Sequence, residues 1–118
     1  MAYMLLVIEE PEMRRRRAIA EGRQLYDRMV QFGEGLKARG LLRLSESLRS
    51  DVDGVRVSLR GGKRKLVDGP FAESKEMVGG FFLLDCKTKE EAVAIASECP
   101  ALEWATIEVR EVAPCYEG

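Results

Sequence analysis

Residues 65–85, KLVDGPFAESKEMVGGFFLLD, constrain the fold more than any other part of the chain. They set a tight turn, Asp68-Gly69-Pro70, then an aromatic, Phe71, then a mixed-charge cluster of Glu73, Lys75 and Glu76. A glycine pair, Gly79-Gly80, then opens a strongly apolar strand. A simple hairpin needs only about two to five loop residues. So much special chemistry between two strands reads as a site as well as a turn.

The rest of the chain supplies the frame. Residues 3–8 (YMLLVI) are a continuous apolar run closed by Glu9, Glu10 and Pro11, the pattern of a buried central strand. Pro11 suits the first turn of a helix, with Glu10 and Glu12 near its positive end. Over residues 12–39 the period turns helical. Ala18, Gly22, Leu25, Met29, Phe32 and Leu36 form one apolar stripe, and Gly40 caps it. Residues 41–48 and 54–59 read as strands separated by a turn at 51–54. Gly61-Gly62 turns into a short partner strand, 63–67. After the motif block come a strand over 79–86 and a capping box, Thr88 with Glu91. The helix it opens puts Ala92, Val93, Ile95, Ala96 and Cys99 inward and stops at Pro100. An alternating strand over 105–112 closes the order, with Trp104 as an anchor at the sheet edge or at a dimer interface.

That order, β-α-β-β-(β)-β-α-β, predicts an α+β chain: a ferredoxin-like split βαβ with an inserted short strand and an antiparallel sheet covered by helices on one face. At 118 residues it predicts a single domain, 1–118. YMLLVI and FFLL are apolar towards both faces, so the uncovered face needs a partner. A second copy is the simplest, which predicts a homodimer with sheets facing each other.

Charge and residue usage narrow the function. A net charge of −1 gives no global pull towards nucleic acid or an acidic membrane. The run Arg14 to Arg17 points around a helix rather than along one stripe, so it reads as a solvated face. No apolar stretch approaches the roughly 20 residues of a membrane span, and no basic leader precedes YMLLVI, so the chain reads as cytoplasmic. Three scattered cysteines make neither a disulfide framework nor a zinc site. There is no histidine, which removes the commonest transition-metal ligand and the best proton carrier near neutral pH. No metal or cofactor is expected, and any proton transfer falls to a carboxylate.

Two carboxylates are the catalytic candidates. Asp68 has two readings: a turn residue bonding nearby backbone N–H groups, or an acid or base at a pocket mouth. Glu46 sits between serines in an apolar strand. If it points inward it needs a partner, and Arg110 on the last strand is one candidate. Phe71, Glu73, Lys75 and Glu76 are the candidate binding residues. Phe71 would line an apolar pocket, and Lys75 would anchor a small anionic ligand.

VDGPFAESKEMVGGF resembles the signature of the DGPF proteins, a branch of the YCII-related family. The resemblance extends to AYMLLV, to Ser45-Glu46-Ser47-Leu48, and to Pro100-Ala101-Leu102-Glu103-Trp104 with Ile107-Glu108-Val109-Arg110. It implies a dimeric α+β barrel. The charged, turn-rich block beside an apolar strand predicts a homodimeric small-molecule-binding protein, with a cofactor-free isomerase or lyase as its enzymatic form. Its pocket would lie between the first helix and the sheet, bordered by Asp68, Phe71, Glu73 and Lys75, with Glu46 nearby. The alternative that the resemblance implies is a non-catalytic module associated with an extracytoplasmic-function sigma factor. There are departures. Related proteins carry a His-Asp pair suspected of catalysis, which this chain lacks. Arg49-Ser50 and Glu111 stand where the family often has proline.

Overall fold

A computed structural model describes residues 2–118. Six strands and three α-helices follow in chain order: β1 (Ala2–Glu9), α1 (Pro11–Arg16), α2 (Ile19–Ala38), β2 (Leu42–Ser47), β3 (Val55–Arg60), β4 (Lys63–Asp68), β5 (Met77–Asp85), α3 (Lys89–Ser97) and β6 (Thr106–Glu111). Four of the strands make an antiparallel sheet in the order β2-β5-β1-β6. This is the ferredoxin-like α+β arrangement that the element order predicts.

Alternation along β1 decides where the core sits. Tyr3, Leu5 and Val7 face the helices. They stand opposite Leu84, Phe82 and Gly80 on β5, and Leu5 and Val7 stand opposite Val109 and Ile107 on β6. Leu36 of α2 and Ala92, Ile95 and Ala96 of α3 close over this layer. Leu5, Leu36 and Leu84 are its fully enclosed large side chains. Truncating one of them to alanine costs about 2–5 kcal/mol. Thr88 caps α3 by accepting from the Glu91 N–H at 3.1 Å, while the Glu91 carboxylate accepts from the Lys87 N–H at 3.0 Å.

Three expectations are corrected. The helix expected over 12–39 breaks at Arg17 and Ala18, both in extended backbone (ψ 132° and 146°). Arg14 and Arg17, three residues apart, would be like-charge neighbours on a continuous helix. With the break, Arg14 meets Glu9 from α1 and Arg17 lines the space under α2. Val93 is 44% exposed: the inward face of α3 runs through Ala92, Ile95, Ala96 and Cys99, and Val93 lies about 100° round from Ala92. Finally, the insertion is two strands long. β3 and β4 pair only with each other, through a Gly61-Gly62 turn with φ of 55° and 78°, and leave the main sheet.

The second face of the sheet carries no helix. Register assigns Met4, Leu6 and Ile8, Phe81 and Leu83, and Leu44 to it. Among the described residues no helix is long and apolar enough to cross a membrane.

Candidate functional site

α2 does not lie flat on the sheet. Its C-terminal half packs closely, with Gly33 and Leu36 buried and Phe32 edge-on to Phe82 at 5.3 Å. A Cβ at Gly33 would already touch Phe82 and Ser45 at 3.5 and 3.7 Å. The N-terminal half stands off, and Gly22, Leu25 and Met29 are only partly covered. The gap is a cavity of about 390 Å³ between α2 and the sheet. Val7, Phe82 and the Ser45 and Ser47 segment make its floor, and Leu25 and Met29 its wall.

Trp104 borders the cavity from the start of β6. Two hydrogen bonds from Arg28 of α2 to Glu103 hold that corner, and the Arg28 guanidinium lies 5.4 Å over the Trp104 ring. The hydrogen bonds from Arg28 keep the Glu103 carboxyl below the usual carboxylate range.

A charged pair lies at the inner end. Glu9 continues the inward alternation of β1 and is 8% exposed. Arg14 of α1 reaches it, with Nη1 3.5 Å from Glu9 Oε2. Both atoms are buried and neither has a hydrogen-bond partner. Buried polar atoms are normally satisfied, so such a pair marks a place where a further polar group belongs. The fold makes room for it: β5 bulges at Gly79, since Val7 pairs with Gly80 and Ile8 with Val78. A Cβ at Gly79 would stand 2.1 Å from Glu9 Oε2. Bulges of this kind recur beside functional sites. Arg17, at the helix break, also lines the cavity and has no acidic partner among the described residues. Glu9 and Arg14 are absent from the candidates the sequence offered. The inward parity of Tyr3, Leu5 and Val7, continued by two residues, is the signal that points to Glu9.

The motif block sits elsewhere. Asp68 is exposed at the end of β4, paired with Val55, and lines neither the α2 cavity nor the hollow beside Phe71. The carboxylate that holds the turn is Asp51, which is 9% exposed. It accepts from Arg15 Nη2 at 2.7 Å and from the Phe71 N–H at 3.3 Å. The Arg15 hydrogen bond, opposed by burial and aided by the Phe71 N–H, keeps the Asp51 carboxyl below its ordinary range. Gly69 fits beneath the same segment: a Cβ there would lie 1.7 Å from the Asp51 carbonyl oxygen. Gly69-Pro70 is cis.

The remaining candidates separate. Phe71 packs under Arg56, whose guanidinium lies 4.0 Å over its ring. Phe71, Lys75 and Glu76 line a second hollow with Glu10, Glu12 and Arg15; Glu73 lines neither hollow. Glu46 borders the α2 cavity, but register pairs it with Phe81 on the open face while Ser45 and Ser47 face inward. Arg110 pairs with Glu108 at 3.2 Å on β6, the opposite edge of the sheet from Glu46. Three strand spacings, about 14 Å, divide Glu46 from Arg110, so within one chain they are not partners. Among the described residues no three His, Cys, Asp or Glu side chains gather as a metal site would need.

Comparison with known proteins adds the lineage. The family model described as the YCII-related domain matches residues 1–115. An uncharacterized protein of Rhizobium meliloti (strain 1021), R00369, is 46% identical over 37 residues. That match spans 31% of this chain and 30% of the relative's own length.

Proposed function

The chain belongs to the YCII-related family, and on that premise we propose that it is a homodimeric small-molecule-binding protein whose ligand occupies the cavity under α2. The observation that carries this reading is the Glu9–Arg14 ion pair, buried beside the cavity at 3.5 Å with neither facing atom in a hydrogen bond. A ligand with a polar end satisfies them, and its apolar body lies against Leu25, Met29, Phe82 and Trp104. The walls are mixed, apolar along Leu25, Met29 and Phe82 and polar at Glu9, Arg14 and Arg17, which suits a small molecule with one polar end. Arg17, a cation without an acid partner on the same wall, favours an anionic ligand such as a small carboxylic acid.

In its enzymatic form the reading is an isomerase or lyase that needs no cofactor. A carboxylate beside the ligand takes a proton from a carbon next to a carbonyl and returns it to another position. Glu9 is the carboxylate placed for that step, in preference to Asp68 or Glu46. The homodimer rests on the open apolar face of the sheet, which one copy leaves wet.

Thermal shift against a panel of small aromatic and branched carboxylic acids tests the proposal. A Cβ at Gly22 meets only Arg17 Cδ within 4 Å, at the ordinary contact distance of 3.7 Å, so Gly22→Leu places its side chain at the cavity wall, and an unchanged urea midpoint shows that it folds. A panel member that raises the melting temperature of the wild type and leaves Gly22→Leu unmoved supports the reading. An equal shift in both, or none across the panel, refutes it.

A further inference from the structure

The β3–β4 hairpin projects from the end of the sheet and has two unlike faces. Val55, Val57 and Leu59 alternate onto one face, with Leu66 opposite Val57. These four are 54%, 62%, 70% and 65% exposed. The other face carries Arg56, Arg60, Lys63 and Lys65 with Ser58 and Val67, while Arg64 and Asp68 flank the apolar row opposite Leu59 and Val55. A lone two-stranded hairpin is marginal in water, and an apolar row on it is surface the monomer leaves uncovered.

Its root is nonetheless fixed. Gly69 N–H donates to the Gly54 carbonyl at 2.8 Å, and Arg56 donates to Ser74 Oγ at 2.8 Å and covers Phe71. Asp51 then ties Phe71 to Arg15 of α1. The motif block thus acts as a bracket that holds the hairpin out from the body.

Charge indicates what the hairpin meets. Residues 55–68 hold five basic side chains and one acid, net +4. The remaining 104 residues hold 14 basic and 19 acidic, net −5. The rest of the same chain is therefore the electrostatic complement of the hairpin. We propose that β3–β4 is a docking arm, whose apolar face packs on the body of a second copy of this chain while its basic residues meet that copy's acids. Complementary charge of this sort sets orientation and association rate, and the apolar row supplies the desolvated centre. The inference rests on the self-association proposed above and adds the contact that secures it.

Analytical ultracentrifugation across a concentration series separates the two ideas. The variants are Val57→Glu with Leu66→Glu on the arm, and Leu6→Glu on the open sheet face. A dimeric wild type with an arm variant that dissociates at least about tenfold more readily, and a dimer that loosens with added salt, support the arm. A dimeric wild type with an unaltered arm variant overturns the arm and leaves self-association standing. A monomeric wild type overturns both, and salt-sensitive binding of duplex DNA by that monomer assigns the hairpin to nucleic acid instead. The arm side chains are exposed, so the thermal midpoint at low concentration should match the wild type. Should the double variant fail to fold, Arg60→Glu with Lys63→Glu at the tip serves the same comparison. Hydrogen exchange gives an independent readout: hairpin amides protected only at high protein concentration support docking, and concentration-independent exchange contradicts it.

Discussion

Gly79 occupies the one position on β5 where any side chain would fall on the Glu9 carboxylate, with a built Cβ only 2.1 Å from Oε2. The bulge in β5, the inward turn of Glu9 and the reach of Arg14 from α1 therefore form one local arrangement. Gly79→Ala should push the Glu9 carboxylate away from Arg14 and leave the guanidinium without its partner. Leaving a buried donor without its partner costs about 1–3 kcal/mol. Urea unfolding measures it, and a stability equal to the wild type would show that the space is not needed.

Gly69 is the corresponding position in the motif block. A Cβ there meets backbone, the Asp51 carbonyl oxygen, which cannot move aside as a side chain can. Gly69→Ala should therefore detach the Phe71 segment from Asp51. Proteolysis should then cut within 69–76 several-fold faster than in the wild type. An unchanged digestion pattern would contradict the bracket described above.

The Asp51 carboxyl lies below its ordinary range chiefly because Arg15 hydrogen-bonds it. A carboxyl depressed in the folded chain binds fewer protons folded than unfolded. Its contribution to stability is complete above the unfolded value, about 3.9, and disappears as pH falls through the folded value. Asp51→Asn should be less stable at neutral pH and should lose less stability on acidification below about pH 4. Urea midpoints measured from neutral to acid pH check this. Parallel profiles for the two proteins would remove Asp51 from the account.

Cys86 and Cys99 are buried, and burial raises both thiols. The thiolate is the reactive form, so both should resist a disulfide reagent at neutral pH. Cys115 is exposed. Titration with such a reagent should find one fast thiol and two that react only on unfolding. Three fast thiols would mean that the layer over Cys99 opens readily.

How far the sequence could be read depended on the range of the forces involved. Local rules found the Thr88 cap, the helix that ends before Pro100, and the order of elements that fixes the sheet. The helix break at Arg17 was harder to read, because the apolar stripe of α2 continues backwards through Ala18 and masks it. Asp68 drew attention as part of an Asp-Gly-Pro turn, yet the carboxylate at work there is Asp51, 20 residues before Phe71. Such a clamp has no local spacing to betray it. Glu9 looks in the sequence like the end of an apolar run. Its inward parity acquires meaning only when the Gly79 bulge is brought opposite it by strand pairing.

Trp104 is the only tryptophan in the chain and it borders the cavity, so its emission reports directly on what enters. Titration with the carboxylic acid that gives the largest thermal shift should produce a saturable change in Trp104 fluorescence. Arg17→Gln should weaken that change by about tenfold, the loss of one charge-assisted contact of roughly 1.4 kcal/mol. Gly22→Leu should abolish it. A response that does not saturate, or that persists undiminished in Gly22→Leu, would contradict the claim that the cavity under α2 is a ligand site.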